Sequence, residues 1–206
     1  INDLNNNEEF FSDMIEEIEK LNFIFTADAR ERLQKIANFL KVNVPVLLEG
    51  PTGTSKTLST EIICELTDRE LIRFNLSSET KSTDLLGRYV GEADSWAGIK
   101  MLPGPFITAF EFGKTLLLDE INLGSTECLQ FIESILDSGV ISVELPGVPL
   151  REIKMHPEFR LIATQNPNKD LFIHKRQDLS TKFKSRFQVI NFPEFKDELF
   201  DIAVGL

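Results

Sequence analysis

The sequence predicts a three-layer α/β domain, in which helices cover both faces of a parallel β-sheet. Short apolar segments rich in β-branched residues alternate along the chain with longer segments of helical spacing, and such alternation is typical of strands joined by crossover helices. The apolar segments are nearly continuous, which is expected of strands buried on both faces. With 42% hydrophobic residues among 206, the chain has enough apolar material for one sizeable core.

The chain begins with a polar, Asn-rich stretch. We expect residues 1–25 to form a linker that includes a helix over residues 8–21, and residues 26–206 to form the α/β domain. A helix is predicted over residues 26–40, because apolar side chains recur there on one face and charged side chains lie opposite. The first residue is Ile rather than Met and no signal peptide is recognisable, so we expect a piece of a longer protein.

Five strands and two more helices are predicted along the rest of the domain. Each strand is a short apolar run that ends at a turn signal or at polar residues. The strands cover residues 44–48, 71–76, 115–118, 159–163 and 187–192, and the helices cover residues 56–66 and 126–136. Because ligands of parallel sheets bind at the carboxyl ends of the strands, the residues that follow the strands are the candidates for a functional site.

Composition excludes several classes of function. No apolar run reaches the roughly 18 residues of a membrane span, so we expect a soluble, intracellular protein of the nucleus or the cytoplasm. The net charge of −11 disfavours direct nucleic-acid binding, because the phosphate backbone requires clustered Lys and Arg. Cys64 and Cys128 lack CxxC spacing, and His156 and His174 are isolated. We therefore expect reduced thiols, and neither a disulfide framework nor a zinc site.

A glycine-rich loop separates the first predicted strand from the following helix. It consists of Gly50, Pro51, Thr52, Gly53, Thr54, Ser55, Lys56 and Thr57. In such a loop, backbone N–H groups cradle phosphate oxygens, Lys56 would reach the β- and γ-phosphates of ATP, and the Thr57 hydroxyl would bind Mg²⁺. The alternative is a glycine-rich turn with an incidental Lys. Ser55 stands where the strict pattern has glycine. Its Cβ either loosens the loop or fits without strain, and we expect the loop to accept it without strain.

Three further signals follow or precede predicted strands. Asp119 and Glu120 come after a buried strand, where Asp119 suits Mg²⁺ coordination and Glu120 suits a general base; the alternative is a solvated acidic turn. Asn166 could hydrogen-bond the γ-phosphate and the attacking water, or cap the turn before Pro167. Arg186 could be an arginine finger or a solvated charge. In this order, the loop and these three signals together favour ATP hydrolysis.

The chain resembles AAA+ ATPase modules of the clade that contains dynein, midasin and the MoxR chaperones, with midasin the nearest. The resemblance covers residues 26–195. Residues 84–89, followed by residues 103–106, resemble the insertion in the second helix of that clade. Residues 142–156 resemble the hairpin before its sensor-1 strand, and residues 159–167 (FRLIATQNP) are close to the sequence of the clade at that strand.

This resemblance implies a P-loop NTPase core whose five parallel strands have the order 5-1-4-3-2. It implies that Thr57 and Asp119 are the Mg²⁺ pair, Glu120 the catalytic glutamate and Asn166 the sensor-1 residue. Arg186 would be a finger that acts in trans on a neighbouring module. The C-terminal helical lid of the family, with its second sensor Arg, is not found before residue 206.

The implied function is ATP binding and hydrolysis that drives remodelling of a protein or ribonucleoprotein assembly, with a midasin-like role in ribosome biogenesis as one form. The expected partners are neighbouring AAA+ modules in a tandem or hexameric ring and a protein or ribonucleoprotein substrate, without nucleic-acid or membrane binding. Two alternatives stay open. One is a structural ring module with little turnover, which Ser55 and the absent lid favour, and the other is a GTP-using relative.

Overall fold

The computed structural model describes residues 26–91, 99–145, 148–167 and 177–194. The predicted linker over residues 1–25 with its helix, His174, and the chain beyond residue 194 lie outside the described residues. In chain order the elements are α1 (Ala27–Lys41), β1 (Val46–Glu49), α2 (Lys56–Leu66), β2 (Leu71–Asn75), α3 (Ser82–Leu86), β3 (Gly87–Gly91), β4 (Ile99–Pro103), α4 (Pro105–Phe112), β5 (Thr115–Asp119), α5 (Thr126–Ser138), β6 (Val140–Leu145), β7 (Val148–Lys154), β8 (Arg160–Gln165), α6 (Thr181–Lys184) and β9 (Gln188–Asn191).

The central sheet has five parallel strands in the order β2-β5-β8-β1-β9. Numbered among themselves along the chain, these strands have the order 5-1-4-3-2 that the family resemblance implies. Two antiparallel hairpins, β3–β4 and β6–β7, stand apart from this sheet. The second confirms the hairpin predicted over residues 142–156, and the first lies within the predicted insertion.

The strand ends that position the candidate site lie level with one another. Glu49 at the end of β1 pairs with Gln165 at the end of β8, and Leu118 of β5 pairs with Ala163 of β8. Because these strands are parallel and in this register, the residues that follow β1, β5 and β8 meet at one edge of the sheet.

Apolar side chains pack in two clusters, one on each face of the sheet. Residues of α1 and α2 pack against Leu117 and Ile162 on one face, whereas residues of α4 and α5 pack against Leu116 and Leu161 on the other. All residues of β5 and β8 are buried. Burial of one such side chain contributes about 1.5–3 kcal/mol, so these clusters hold the sheet as the middle of three layers. None of the helices described is long and apolar enough to cross a membrane.

The bounds of β1 differ from the prediction for a physical reason. The strand begins at Val46 rather than at residue 44. Pro45 has no N–H to donate to a ladder, and the Val44 N–H donates back to the Phe39 carbonyl in the turn after α1. The strands β5 and β8 run one and two residues further than predicted and end at Asp119 and Gln165.

Helix α4 was not predicted from the sequence. It has eight residues, begins with Pro105 at its first turn and ends before Gly113, which has a left-handed φ of 73°. Phe106 and Phe110 are among its four buried residues. A helix this short and this apolar lacks the polar face on which a periodicity argument depends.

Candidate active site

Most of the predicted site residues line one cleft at the carboxyl edge of the sheet. The cleft has a volume of about 400 Å³. Its lining consists of Thr52, Gly53, Thr54, Ser55, Lys56, Thr57, Leu58, Arg73, Asp119, Glu120 and Asn166. Of the predicted site residues, Gly50, Pro51 and Arg186 are not part of this lining. The structure therefore brings three of the four sequence signals together.

The glycines of the loop have different physical roles. A Cβ on Gly50 would lie 2.0 Å from the Phe192 carbonyl oxygen, so only glycine fits between β1 and the residue after β9. Gly53 has a φ of 85°, but a Cβ at this position would point into open space, so its backbone conformation is what requires glycine. Close packing on the sheet thus requires glycine at position 50, whereas the backbone conformation requires it at position 53.

Ser55 adopts a left-handed conformation, with φ of 61° and ψ of 22°. The expectation that the loop accepts this side chain without strain is wrong, because a left-handed backbone disfavours any residue with a Cβ. Ser55 precedes the first residue of α2, and its side chain makes no capping hydrogen bond there. The glycine of the strict loop pattern is therefore explained by backbone conformation at this position.

The Lys56 ammonium is buried inside the loop. Nζ donates to the carbonyl oxygens of Gly50 at 2.8 Å and Pro51 at 2.7 Å, and it lies 3.4 Å from Thr54 Oγ1. The Thr54 hydroxyl in turn donates to the Pro51 carbonyl at 2.8 Å. Together with the amino end of α2, which begins at Lys56, this places positive potential on the loop side of the cleft.

Asp119 is held by hydrogen bonds to both carboxylate oxygens. Oδ2 accepts from Thr57 Oγ1 at 3.3 Å and from Arg73 Nη2 at 2.5 Å. Oδ1 accepts from the hydroxyl of the buried Thr164. The carboxylate is thus fixed next to the hydroxyl of Thr57, the residue that the family resemblance pairs with it.

Glu120 turns the chain sharply at the end of β5. Its φ of 54° is left-handed, and a short 3-10 turn follows it. The Glu120 backbone N–H donates to Thr164 Oγ1 at 3.0 Å, so one threonine hydroxyl fixes both Asp119 and Glu120. A non-glycine residue in this conformation stores strain of the order of 1–3 kcal/mol, which is a frequent feature of functional sites.

Asn166 joins the ends of two strands to the loop. Its side-chain amide nitrogen lies 3.1 Å from Glu120 Oε1 and 3.3 Å from Thr52 Oγ1, and its backbone carbonyl accepts from Asn122 Nδ2 at 2.8 Å. Asn166 therefore contacts the second carboxylate directly, which goes beyond capping the turn that follows it.

Arg73 and Thr164 are site residues that sequence reasoning missed. Arg73 lies inside the strand predicted over residues 71–76, whereas Thr164 directly follows the strand predicted over residues 159–163 and belongs to β8 in the structure. A polar side chain next to an apolar strand is a signal that could have identified Thr164, because burial of a hydroxyl is costly unless it has a partner. Arg73 is half exposed and gives no such signal.

Arg186 lies outside the cleft and is paired within its own chain. Its guanidinium donates to both carboxylate oxygens of Asp137 at 2.8 and 2.6 Å, and Nη2 lies 2.9 Å from Glu133. Hydrogen bonding to Asp137 raises the pKa of Arg186, and the same contact lowers the pKa of Asp137. With its side chain 15% exposed, Arg186 braces α6 against α5.

The oxygen atoms in the cleft suit Mg²⁺, which keeps water in its coordination shell, better than a metal ion that protein side chains alone coordinate. Among the described residues there is no group of three or more His, Cys, Asp or Glu side chains that could hold a metal ion. Within the cleft, the Asp119 carboxylate and the Thr57 hydroxyl lie next to each other. Mg²⁺ typically takes one or two protein ligands and completes its shell with water and substrate phosphates.

Comparison with known proteins gives one family match over most of the chain. Residues 45–187 match the AAA domain of the dynein-related subfamily. Midasin of Dictyostelium discoideum is 32% identical over 183 residues, which is 87% of this chain but 3% of that protein. Gas vesicle ATPase GvpN1 of Halobacterium salinarum is 28% identical over 177 residues, which is 78% of this chain and 50% of that protein.

A further relative and a solved structure agree with this match. Protein CbbQ of Hydrogenophilus thermoluteolus is 26% identical over 161 residues, or 76% of this chain and 57% of that protein. The chain thus spans between 3% and 57% of the length of these three relatives. An ATPase candidate from Cytophaga hutchinsonii has a TM-score of 0.68 at 19% identity, covering 98% of this chain and 58% of that one, which supports the fold.

Proposed function

The chain belongs to the dynein-related subfamily of AAA domains, and on that premise we propose that its cleft binds ATP·Mg²⁺ and hydrolyses the ATP inside a ring of such modules. Nucleotide binding and ATPase activity follow from the family, and a gas vesicle ATPase is among the relatives of this chain. The roles of individual residues, the metal, the ring and the task that it performs are our proposal.

The observation that carries the proposal is the meeting of four side chains around one cleft. Thr57 Oγ1 lies 3.3 Å from Asp119 Oδ2, and Asn166 Nδ2 lies 3.1 Å from Glu120 Oε1. These residues come from three separate segments of the chain. An incidental glycine-rich turn and a solvated acidic turn would give no reason for such contacts. Phosphoryl transfer, in contrast, uses a hydroxyl and a carboxylate for the metal and a further group that orients the attacking water.

Bound ATP·Mg²⁺ supplies the scissile phosphoanhydride and a divalent charge that neutralises the phosphates. We propose that Thr57 and Asp119 hold the metal through their oxygens, directly or through water. Lys56 would pair with the β- and γ-phosphates, since its ammonium already lies within the loop and donates to two of its carbonyls. The backbone N–H groups of the loop and the amino end of α2 would hold the remaining phosphate charge.

Glu120 is proposed to accept the proton of the attacking water. Its carboxylate lies at the cleft, and the Asn166 amide orients it through a hydrogen bond. The same amide contacts Thr52 in the loop. Asn166 can therefore hold the proposed base at a fixed position relative to the loop that would bind the phosphates.

The direct test compares two variants with a matched control. Lys56→Ala should abolish binding of a fluorescent ATP analogue, because it removes the charge aimed at the phosphates. Glu120→Gln should keep that binding and lose turnover by roughly 10²–10⁴-fold, because the amide cannot accept a proton. Glu65→Gln makes the same chemical change at an exposed position of α2 and should alter neither. Unchanged affinity in Lys56→Ala would remove the loop from the proposal.

The proposed work of the ring is remodelling of a protein or ribonucleoprotein assembly. Similarity to midasin over 87% of this chain supports a role of that kind, including one in ribosome biogenesis. Similarity to a gas vesicle ATPase supports a broader range of assemblies. We propose neighbouring AAA modules as partners and Arg186 as the residue that acts in trans, exchanging its bond to Asp137 for phosphate oxygens of the next site.

Mixing two inactive variants tests the trans role of Arg186. Arg186→Ala should lower turnover by roughly 10³–10⁵-fold if the residue is an arginine finger, and Glu120→Gln should be inactive for a different reason. In a shared ring, the intact Arg186 of the Glu120→Gln protein can complete the site of its neighbour, so the mixture should regain turnover. Two inactive proteins that stay inactive when mixed, under conditions where the parent protein assembles, would refute a trans site.

A structural ring module with little turnover is the second candidate. The left-handed Ser55 favours it, because a strained loop is expected to hold nucleotide less well. Under this interpretation Lys56→Ala still loses binding, but the assembled parent protein shows no more turnover than Glu120→Gln. Competition between ATP and GTP for the parent protein distinguishes the GTP-using alternative.

A further inference from the structure

Arg73 places a cation on the carboxylate that the proposed function assigns to the metal. The residue lies on β2, the edge strand of the central sheet next to β5. Its side chain is 50% exposed, whereas that of Asp119 is 11% exposed. Arg73 therefore reaches inward from the surface to a nearly buried carboxylate, and Nη2 lies 2.5 Å from Asp119 Oδ2.

The contact involves the oxygen that faces the other proposed metal ligand. Thr57 Oγ1 lies 3.3 Å from the same Oδ2. The second oxygen, Oδ1, accepts a hydrogen bond from the Thr164 hydroxyl, and that hydroxyl itself accepts one from the Glu120 backbone N–H. A divalent cation shared by Thr57 and Asp119 would thus need Oδ2, and like charges so close together repel each other.

Glu61 gives the Arg73 guanidinium a second carboxylate. Glu61 lies on α2, the helix that begins at the phosphate loop, and its Oε1 is 3.6 Å from Arg73 Nη1. That side chain is 46% exposed, so the guanidinium can move towards it without being buried. Arg73 therefore lies between one carboxylate in the cleft and one at the surface.

We propose that Arg73 competes with Mg²⁺ for Asp119, and that Glu61 receives the Arg73 guanidinium when the metal binds. This inference rests on the proposed function. Its consequence is that the edge strand β2 responds to ATP·Mg²⁺ but not to metal-free nucleotide, because only the metal requires the oxygen that Arg73 holds. Arg73 is a positioning residue in this scheme, since it acts through Asp119.

The test measures how strongly nucleotide binding depends on metal. For each variant, the Kd of a fluorescent ATP analogue is determined in EDTA and in saturating Mg²⁺. The Kd in EDTA divided by the Kd in Mg²⁺ is then compared with the same ratio for the parent. Arg73→Gln should raise the ratio about tenfold, the size expected for one lost hydrogen bond to a charged group. Glu61→Gln should lower the ratio, because the guanidinium loses its alternative partner.

The double variant and a control make the assignment specific. Arg73→Gln combined with Glu61→Gln should behave like Arg73→Gln alone, because Glu61 acts only through Arg73 in this scheme. Arg30→Gln makes the same change of charge at an exposed position of α1 and should leave the ratio unchanged. Thermal unfolding of each variant, without nucleotide, shows whether it is folded.

Two different failures are distinguishable. If Arg73→Gln binds nucleotide but its ratio is unchanged or lower than that of the parent, Arg73 is a phosphate ligand or a structural residue, and only this inference is overturned. If the parent protein binds the analogue under neither condition, the proposed function is overturned and the inference with it.

Discussion

Replacing Ser55 by glycine should increase the free energy of unfolding, because the Ser55 backbone is left-handed. For a residue with a Cβ, that conformation costs roughly 1–2 kcal/mol. Glycine avoids most of this cost, but it makes the unfolded chain more flexible, which lowers stability by roughly 0.4–1 kcal/mol. The Ser55 side chain makes no capping hydrogen bond, so none is lost. The net expectation is a gain of up to about 1.5 kcal/mol.

The assay is thermal or urea unfolding of Ser55→Gly and Ser55→Ala without nucleotide. Ser55→Ala is the matched control, because it removes the hydroxyl and keeps the Cβ that causes the strain. For a domain of this size, a gain of about 1 kcal/mol corresponds to a rise in Tm of roughly 2–4 °C. Ser55→Ala should stay within about 0.5 kcal/mol of the parent.

Ser55→Gly should also bind ATP·Mg²⁺ as well as the parent or slightly more tightly, since the loop reaches its conformation with less strain. A glycine variant that is less stable than the parent, with the alanine variant unchanged, would show that the left-handed backbone carries no strain here. A gain in affinity of tenfold or more would show that Ser55 impairs the site, and the structural ring module would then be the better interpretation.

Three other substitutions or reactions test the packing around the site. Gly50→Ala should lower stability by roughly 1–3 kcal/mol in urea unfolding, because its Cβ would lie 2.0 Å from the Phe192 carbonyl oxygen. Burial raises the pKa of both Cys64 and Cys128 to about 11, so few thiolates exist at pH 8; Ellman's reagent should react with two thiols only after unfolding. Thr164→Val should cost roughly 1–3 kcal/mol in the same unfolding assay, because it leaves a buried carboxylate oxygen and a backbone N–H without their partner.

The sequence predicts those parts of the site that depend on local spacing. The phosphate loop is recognisable from eight consecutive residues, and Asp119 and Glu120 from their position after an apolar run. The five core strands are equally recognisable, because strands buried on both faces leave apolar runs that turns interrupt. The strand order was implied only by the family resemblance, since an apolar run contains no information about its neighbours.

The contacts missed from the sequence are those that depend on tertiary structure. Arg73 and Asp119 are 46 positions apart in the chain, and Thr164 and Asp119 are 45 apart. They meet because β2, β5 and β8 are neighbours in one register. The strain at Ser55 was misjudged for a related reason, because the residue types in the loop do not reveal which of them takes a positive φ.

The register between β5 and β8 also explains how the core controls the chemistry of the cleft. Leu118 pairs with Ala163, which puts Thr164 level with the end of β5, where its hydroxyl bonds both Asp119 and the Glu120 backbone. A shift of one residue would turn the Thr164 side chain to the opposite face of the sheet. Its hydroxyl would then lie in an apolar cluster without a hydrogen-bond partner, which is costly. The other buried side chains of β8 would also change faces and would have to repack. The packing of β8 against β5 therefore also holds the Thr164 hydroxyl on Asp119 and on the Glu120 backbone. A substitution in the core of β8 should consequently disturb turnover before it unfolds the domain.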